Sequence, residues 1–212
     1  MFHAFDTTDV TAPLEVLNFI GLLYNTEVAL IAETLDPVST QPLTMNPKNS
    51  SVWTSFTPTH TFDTAPELDV LIVPGGPGAR NPNMTAVWNY IGEAAPKTKH
   101  VLNICTGSGV SAKAGIMDGR KATTNKAAWA TITAYGPNTT WVPRARWVED
   151  NSAEPPIWSS SGVTSGFDMM LQFAETVYSL QNATYISNLI EHVRITNPDN
   201  DPFAVNINET ST

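Results

Sequence analysis

Val101-Leu102-Asn103-Ile104-Cys105-Thr106-Gly107-Ser108-Gly109 is the stretch that decides the fold. A short, nearly unbroken apolar run ending in small residues reads as a strand buried on both faces that turns directly into a helix. A second run of this kind, Asp69-Val70-Leu71-Ile72-Val73, stops at Pro74-Gly75-Gly76-Pro77-Gly78. Residues 85–95 between them fit a helix, and residues 107–116 carry small residues at helical spacing. Strand, helix, strand, helix over this length predicts an α/β fold with a mainly parallel sheet.

Working outward, Leu14 to Tyr24 reads as a mostly buried helix with Pro13 at its first position, where a missing N–H costs nothing. Residues 27–33 read as a short strand. The stretch 36–66, rich in Pro, Thr and Ser, reads as a loop with one hairpin around Leu43 and Val52–Phe56. Residues 126–135 predict a helix, and 146–149 with 157–160 the two strands of a hairpin. Helices are expected over 166–180 and 182–193, followed by an extended polar tail over 194–212. No linker divides the chain, so one domain over 1–212 is expected.

Composition narrows the function classes. The 212 residues carry 11 basic and 20 acidic side chains, a net charge of −9. That leaves no basic face for nucleic acid. No apolar run reaches the ~18 residues of a membrane span. A single cysteine excludes an internal disulfide framework and a Cys-based zinc site. The opening residues lack the basic and apolar regions of a signal peptide, which points to the cytoplasm. Sequons at Asn49, Asn83, Asn138, Asn182 and Asn208 keep an extracellular location open.

The chemistry centres on Cys105. A nucleophile at a sharp strand-to-helix turn projects into the crevice at the carboxyl ends of the strands, where open α/β sheets bind ligands. The amides opening the next helix are expected to favour its thiolate. A small buried cysteine closing a strand is the alternative. Gly75 and Gly76 stand at a second strand end, where their N–H groups can approach a ligand; a plain glycine turn is the alternative. Asp9 precedes the first predicted helix, where a carboxylate is most often a cap. Glu15 in the first turn reads as a dipole-compensating charge. None of His3, His60, His100 and His192 adjoins Cys105 in sequence.

Together these segments resemble the ThiJ/PfpI superfamily over nearly the whole chain. The resemblance rests on Asp-Val-Thr-Ala-Pro-Leu-Glu-Val at 9–16, Asp-Val-Leu-Ile-Val-Pro-Gly-Gly at 69–76 and Cys-Thr-Gly-Ser-Gly-Val at 105–110. It also rests on Ala-Gly-Ile-Met-Asp-Gly-Arg-Lys-Ala-Thr-Thr at 114–124 and Ser-Gly-Val-Thr-Ser-Gly-Phe-Asp at 161–168. Within it, the Cys-Thr-Gly-Ser elbow and the Asp-x-Thr-x-Pro segment are similar to isocyanide hydratases and to the amidase-like half of some AraC-type regulators. Asp-Pro-Phe-Ala at 201–204 is similar to fungal members.

The resemblance implies a flavodoxin-like sandwich with helices on both faces of the sheet, and a homodimer. It implies Cys105 as nucleophile, Asp9 as acid and base, and Thr106 beside them. Gly75, Gly76, Val163 and Thr164 would border the substrate, the last two in a loop. It implies a small-molecule substrate, no metal and no organic cofactor. Isocyanide hydration is the leading activity; a glyoxalase or deglycase, and a redox-sensing or chaperone-like protein, are the alternatives.

Three departures qualify it. Thr106 stands where peptidase-like members have His. Asn125 stands where many relatives have a His, which removes a Cys–His dyad. A strand normally precedes Phe2-His3-Ala4-Phe5, and only Met1 remains of it. Either the chain begins inside a longer protein or another element fills that slot.

Overall fold

The computed structural model describes residues 1–206. The chain runs through α1 (Thr7–Gly21), β1 (Ile31–Ala32), β2 (Val38–Ser39), β3 (Ser55–Phe56), β4 (His60–Thr61) and β5 (Val70–Val73). It continues with α2 (Thr85–Ala94), β6 (His100–Asn103), α3 (Gly107–Lys113), β7 (Lys121–Ala122), α4 (Trp129–Thr133) and β8 (Thr140–Trp141). β9 (Trp147–Asp150), β10 (Ile157–Ser160), α5 (Val163–Val177) and α6 (Leu180–Leu189) complete it.

The central sheet has the order β5-β6-β10-β9. β5, β6 and β10 are parallel, with Val73 opposite Asn103 and Ser159 opposite Asn103. β9 closes the edge antiparallel to β10, as the expected hairpin. The three parallel strands therefore end in line, and the loops after Val73, Asn103 and Ser160 emerge at one edge.

Alternation along the strands sorts the core into two layers. Val101, Leu71, Val73 and Ile157 face one side with Ile91 of α2 and Val110 of α3. Leu102 and Trp158 face the other with Val16 and Ile20 of α1, Met169 and Leu171 of α5, and Ile186 of α6. Successive side chains on a strand point to opposite faces, so one apolar run serves both layers. Each fully buried side chain of this kind contributes about 1.5–3 kcal/mol. This is a flavodoxin-like sandwich with helices on both faces.

Several boundaries differ from expectation, each for a local reason. α1 starts at Thr7, because Asp6 in extended conformation caps it by accepting the Thr8 N–H at 3.0 Å. Pro13 consequently lies inside the helix, where the residue it faces one turn earlier, Asp9, loses a carbonyl partner. The 27–33 run forms ladder bonds only at Ile31–Ala32, paired in parallel with β4. The expected hairpin is β2 with β3, its first strand at Val38–Ser39 rather than near the exposed Leu43. The 166–180 run is cut by Ser179, which accepts the Asn182 N–H at 3.1 Å and starts α6 at Leu180. α4 is shorter than 126–135 because its first turn, Lys126–Ala128, is a 3₁₀ turn.

At the N-terminus, the Met1 amine bonds the Ile31 carbonyl and the Ala4 N–H bonds the Ser39 carbonyl. Among the described residues β5 pairs with β6 alone, and β1 with β4. The tail is not wholly extended: Pro202–Asn206 forms a 3₁₀ turn. Its last six positions, with the Asn208 sequon, lie outside the described residues. Among those described, no helix is long and apolar enough to cross a membrane.

Candidate active site

Cys105 sits at the expected turn with φ of +56°, a left-handed backbone that a side chain disfavours. Two hydroxyls hold this strained residue by its carbonyl: Ser108 donates to it at 3.1 Å and Thr124 at 3.0 Å. The side chain is 4 % exposed, at the carboxyl edge of β6.

The glycine pair after β5 packs directly on this turn. A Cβ at Gly75 would lie 2.5 Å from the Thr106 nitrogen, so only glycine allows the approach. Gly76 has φ of +129°, and a Cβ there would meet the Asp6 nitrogen at 2.3 Å. The Gly75 N–H donates to Asp9 Oδ2 at 2.8 Å, and the Gly76 N–H donates to Thr106 Oγ1 at 2.8 Å. Thr106 returns its hydroxyl proton to the Gly76 carbonyl at 3.2 Å. Strand end, helix start and Cys105 turn are thus bonded into one unit.

Asp9 is fully buried in the first turn of α1, and its Oδ1 has no hydrogen-bond partner. Burial first, then the charge of Asp6, pushes its carboxyl up to about 8, against the opposing Gly75 N–H. The same carboxylate is felt at Cys105. Burial and then Asp9 push that thiol well above its ordinary range, while the Thr106 N–H and the Asn125 side chain favour the anion. The expected shift toward thiolate is therefore reversed, because removing the sulfur from water outweighs the amide at the helix start.

The matched family model is the DJ-1/PfpI family, over residues 1–176. The chain belongs to the DJ-1/PfpI family. It is 29% identical over 213 residues to an isonitrile hydratase of Pseudomonas putida, covering 97% of this chain and 84% of that one. It is 27% identical over 158 residues to the HTH-type transcriptional regulator GbdR of Pseudomonas aeruginosa, covering 73% of this chain but 42% of the regulator. Among solved structures, a ThiJ/PfpI family protein from Pseudomonas syringae superposes with a TM-score of 0.74 at 21% identity, over 95% of this chain and 76% of that one. Schizosaccharomyces pombe DJ-1 superposes with 0.63 at 14% identity, over 91% and 96%. These superpositions support the fold alone.

On this DJ-1/PfpI frame the structure brings Cys105, Asp9, Thr106, Gly75 and Gly76 together. It corrects the reading of Gly75 and Gly76 as amides facing a ligand. Their N–H groups are occupied by Asp9 and Thr106, so the pair orients these two side chains instead. The cap reading of Asp9 gives way too, since Asp6 holds that position. Val163 and Thr164 are not in a loop but open α5, with Thr164 exposed. Gly162, just before α5, has its Cβ position 3.8 Å from Asn125 Nδ2. Glu15 is exposed on α1.

Two of the histidines have partners elsewhere. His192 bonds Asp168 at 2.8 Å, and His100 packs on Phe173 with ring centroids 5.2 Å apart. Among the described residues no group of three His, Cys, Asp or Glu side chains is placed to hold a metal ion. The sequence alone assigns no part in the site to Ser108 or Thr124. Ser108 and Thr124 lie inside the quoted segments, but nothing in their spacing told that both reach one carbonyl.

Proposed function

We propose that this protein is a cysteine-dependent hydratase that converts an isocyanide and water to an N-substituted formamide. The observation that carries the reading is a fully buried carboxyl, Asp9, held by the Gly75 N–H with its second oxygen unpartnered, on the glycine pair that packs against the strained Cys105 turn. Burial pushes its pKa up to about 8, which favours the protonated form. An isocyanide carbon needs both a nucleophile and a proton. Cys105 Sγ forms the S–C bond, and Asp9 gives its proton to the same carbon. The thiol proton passes to the Asp9 carboxylate, so the net step adds S–H across the carbon. A thiol held above its ordinary range suits this transfer, because no free thiolate has to wait in the buried site.

The product is a thioformimidate, R–N=CH–S–Cys105. Water then adds to its carbon with Asp9 relaying the proton, the C–S bond breaks, and the sulfur leaves as the thiol of Cys105. The atoms balance without metal or organic cofactor. The similarity to an isonitrile hydratase supports this substrate class. Among the described residues no histidine figures among the groups acting on the sulfur, which weakens the glyoxalase and deglycase alternative.

The test follows loss of an alkyl or aryl isocyanide and gain of its formamide, with methylglyoxal as a parallel substrate. Formamide production that vanishes in both Cys105→Ala and Asp9→Asn is expected. Methylglyoxal consumption without isocyanide consumption would replace this reading.

A further inference from the structure

Cys105 has a left-handed backbone that its side chain disfavours, so the turn needs support from its surroundings. Of the two hydroxyls on its carbonyl, that of Ser108 is three residues away and moves with the turn. Thr124 is the anchor from another part of the chain, at 3.0 Å. Whatever fixes Thr124 therefore helps to fix Cys105.

Thr124 lies between β7 and the 3₁₀ turn Lys126–Ala128. This connection is organised around a buried ammonium. The Lys126 side chain is 4 % exposed. Its Nζ donates to Thr123 Oγ1 at 2.6 Å and to the Ala145 carbonyl at 2.8 Å. Asp201 Oδ2, at 3.5 Å, is the third oxygen beside a group that carries three protons. Asp201 comes from the tail and is equally buried. Its Oδ1 accepts the Phe203 N–H at 3.0 Å, and its Oδ2 has no hydrogen-bond partner and faces the charge of Lys126. A carboxylate oxygen in that position is costly without a counter-charge. The tail is tied down separately. The Ile195 N–H bonds Asp168 at 3.1 Å, and Arg194 bonds Glu175 at 2.7 Å. Asp201 thus acts on the loop from a fixed base. Neither buried charge has a part in the proposed reaction.

We propose that Lys126 and Asp201 are positioning residues for Cys105: the tail carboxylate holds the Lys126 ammonium, the ammonium holds Thr123 and the Ala145 carbonyl, and the loop so fixed delivers the Thr124 hydroxyl to the Cys105 carbonyl. In this role the pair exchanges no proton with sulfur or substrate, so the Asp9 relay stays complete. The inference rests on the hydratase reading for turnover alone. The chain of contacts that ends at the Cys105 carbonyl is independent of substrate.

Iodoacetamide reports on Cys105 alone, since the sequence has one cysteine. The residue is 4 % exposed, so the reagent gains access when the turn loosens. Lys126→Met keeps the length of the side chain and removes its charge and donors. Asp201→Asn keeps the oxygen that caps the tail turn, removes the charge, and stands in if the Met variant does not fold. Each is expected to be alkylated about tenfold faster than the parent, the size of one lost hydrogen bond to a charged group. In isocyanide turnover kcat should fall with KM little changed. Arg194→Met, which breaks the Glu175 pair on the same tail, controls for stability and should keep the parental rate, every protein being compared at an equal interval below its own Tm. In a Thr124→Val background Lys126→Met should add nothing, because the link it acts through is gone. Parental alkylation in Lys126→Met and Asp201→Asn, or a tenfold effect that persists without the Thr124 hydroxyl, would overturn the proposal and leave the pair a fastening for the tail. A parent that consumes no isocyanide, with alkylation as expected in the variants, would sink the hydratase reading while this inference stands.

Discussion

The backbone N–H of Gly75 donates to one oxygen of the Asp9 carboxyl at 2.8 Å, and the other oxygen is buried without a partner. One bond fixes the orientation of the carboxyl, and its charge is felt at Cys105. An orphaned buried polar atom is costly to a fold. Here it is supported by the close packing of the β5 end on the Cys105 turn, and it is the kind of local cost found at functional sites.

Asp9→Asn is expected to stabilise the protein at alkaline pH while abolishing hydration. Burial pushes the folded carboxyl up to about 8, from the 3.8 of an ordinary aspartate. Between those limits the folded state binds more protons than the unfolded one, so stability falls as pH rises. Asparagine keeps the acceptor for Gly75 and removes the ionisation. Its gain, up to a few kcal/mol, should be largest near pH 8 and absent near pH 4. Thermal unfolding of both proteins across that range measures it. A difference independent of pH would contradict a protonated Asp9.

Cys105 is expected to remain a thiol through neutral pH. Absorbance near 240 nm, with Cys105→Ala subtracted, should show no thiolate step up to about 8.5, the ordinary midpoint of a free thiol. A step at or below neutrality would mean that the helix-start amide prevails over burial.

Gly75→Ala is expected to lower both stability and activity. The added carbon would lie 2.5 Å from backbone, at the Thr106 nitrogen, so one strand end or the other must move. Overpacking of this kind costs about 1–3 kcal/mol. The movement carries the Gly75 N–H away from Asp9, so isocyanide turnover should fall further than the folded fraction does. Loss of activity merely in proportion to unfolding would separate Gly75 from the site.

Thr124→Val keeps the shape of the side chain and deletes the hydroxyl that holds the Cys105 carbonyl. Removing one of the two hydrogen bonds to that buried acceptor should cost about 0.5–1.5 kcal/mol. Relaxation of the turn should appear as reduced isocyanide turnover in protein that chemical denaturation shows to be folded. Parental kcat would show that Ser108 suffices.

The two buried apolar runs, their glycine-rich ends and the single cysteine determine much of this protein from sequence. Val70–Val73 is apolar on both faces and Val101–Ile104 is so but for Asn103, which is the mark of parallel strands covered by helices, and a residue following such a strand must emerge at the sheet edge. The position of Cys105 and the mainly parallel α/β sheet follow from that local chemistry, and the two-sided sandwich from the family resemblance of the quoted segments. What the side chains there touch does not. Asp9 reads as a cap until Asp6 is seen to occupy that place. Gly75 and Gly76 read as free amides until Asp9 and Thr106 are seen to use them. Asn125 reads as a histidine that is missing until its oxygen is seen bonded to Ala128. The raised thiol and carboxyl have the same origin, for no spacing in the chain states how much water a fold excludes. Periodicity fixes which face of an element is buried, because it depends on neighbours one turn or two residues away. Hydrogen bonding and desolvation at the site depend on segments some 20 to 100 positions apart, and only the tertiary structure brings these within ångströms.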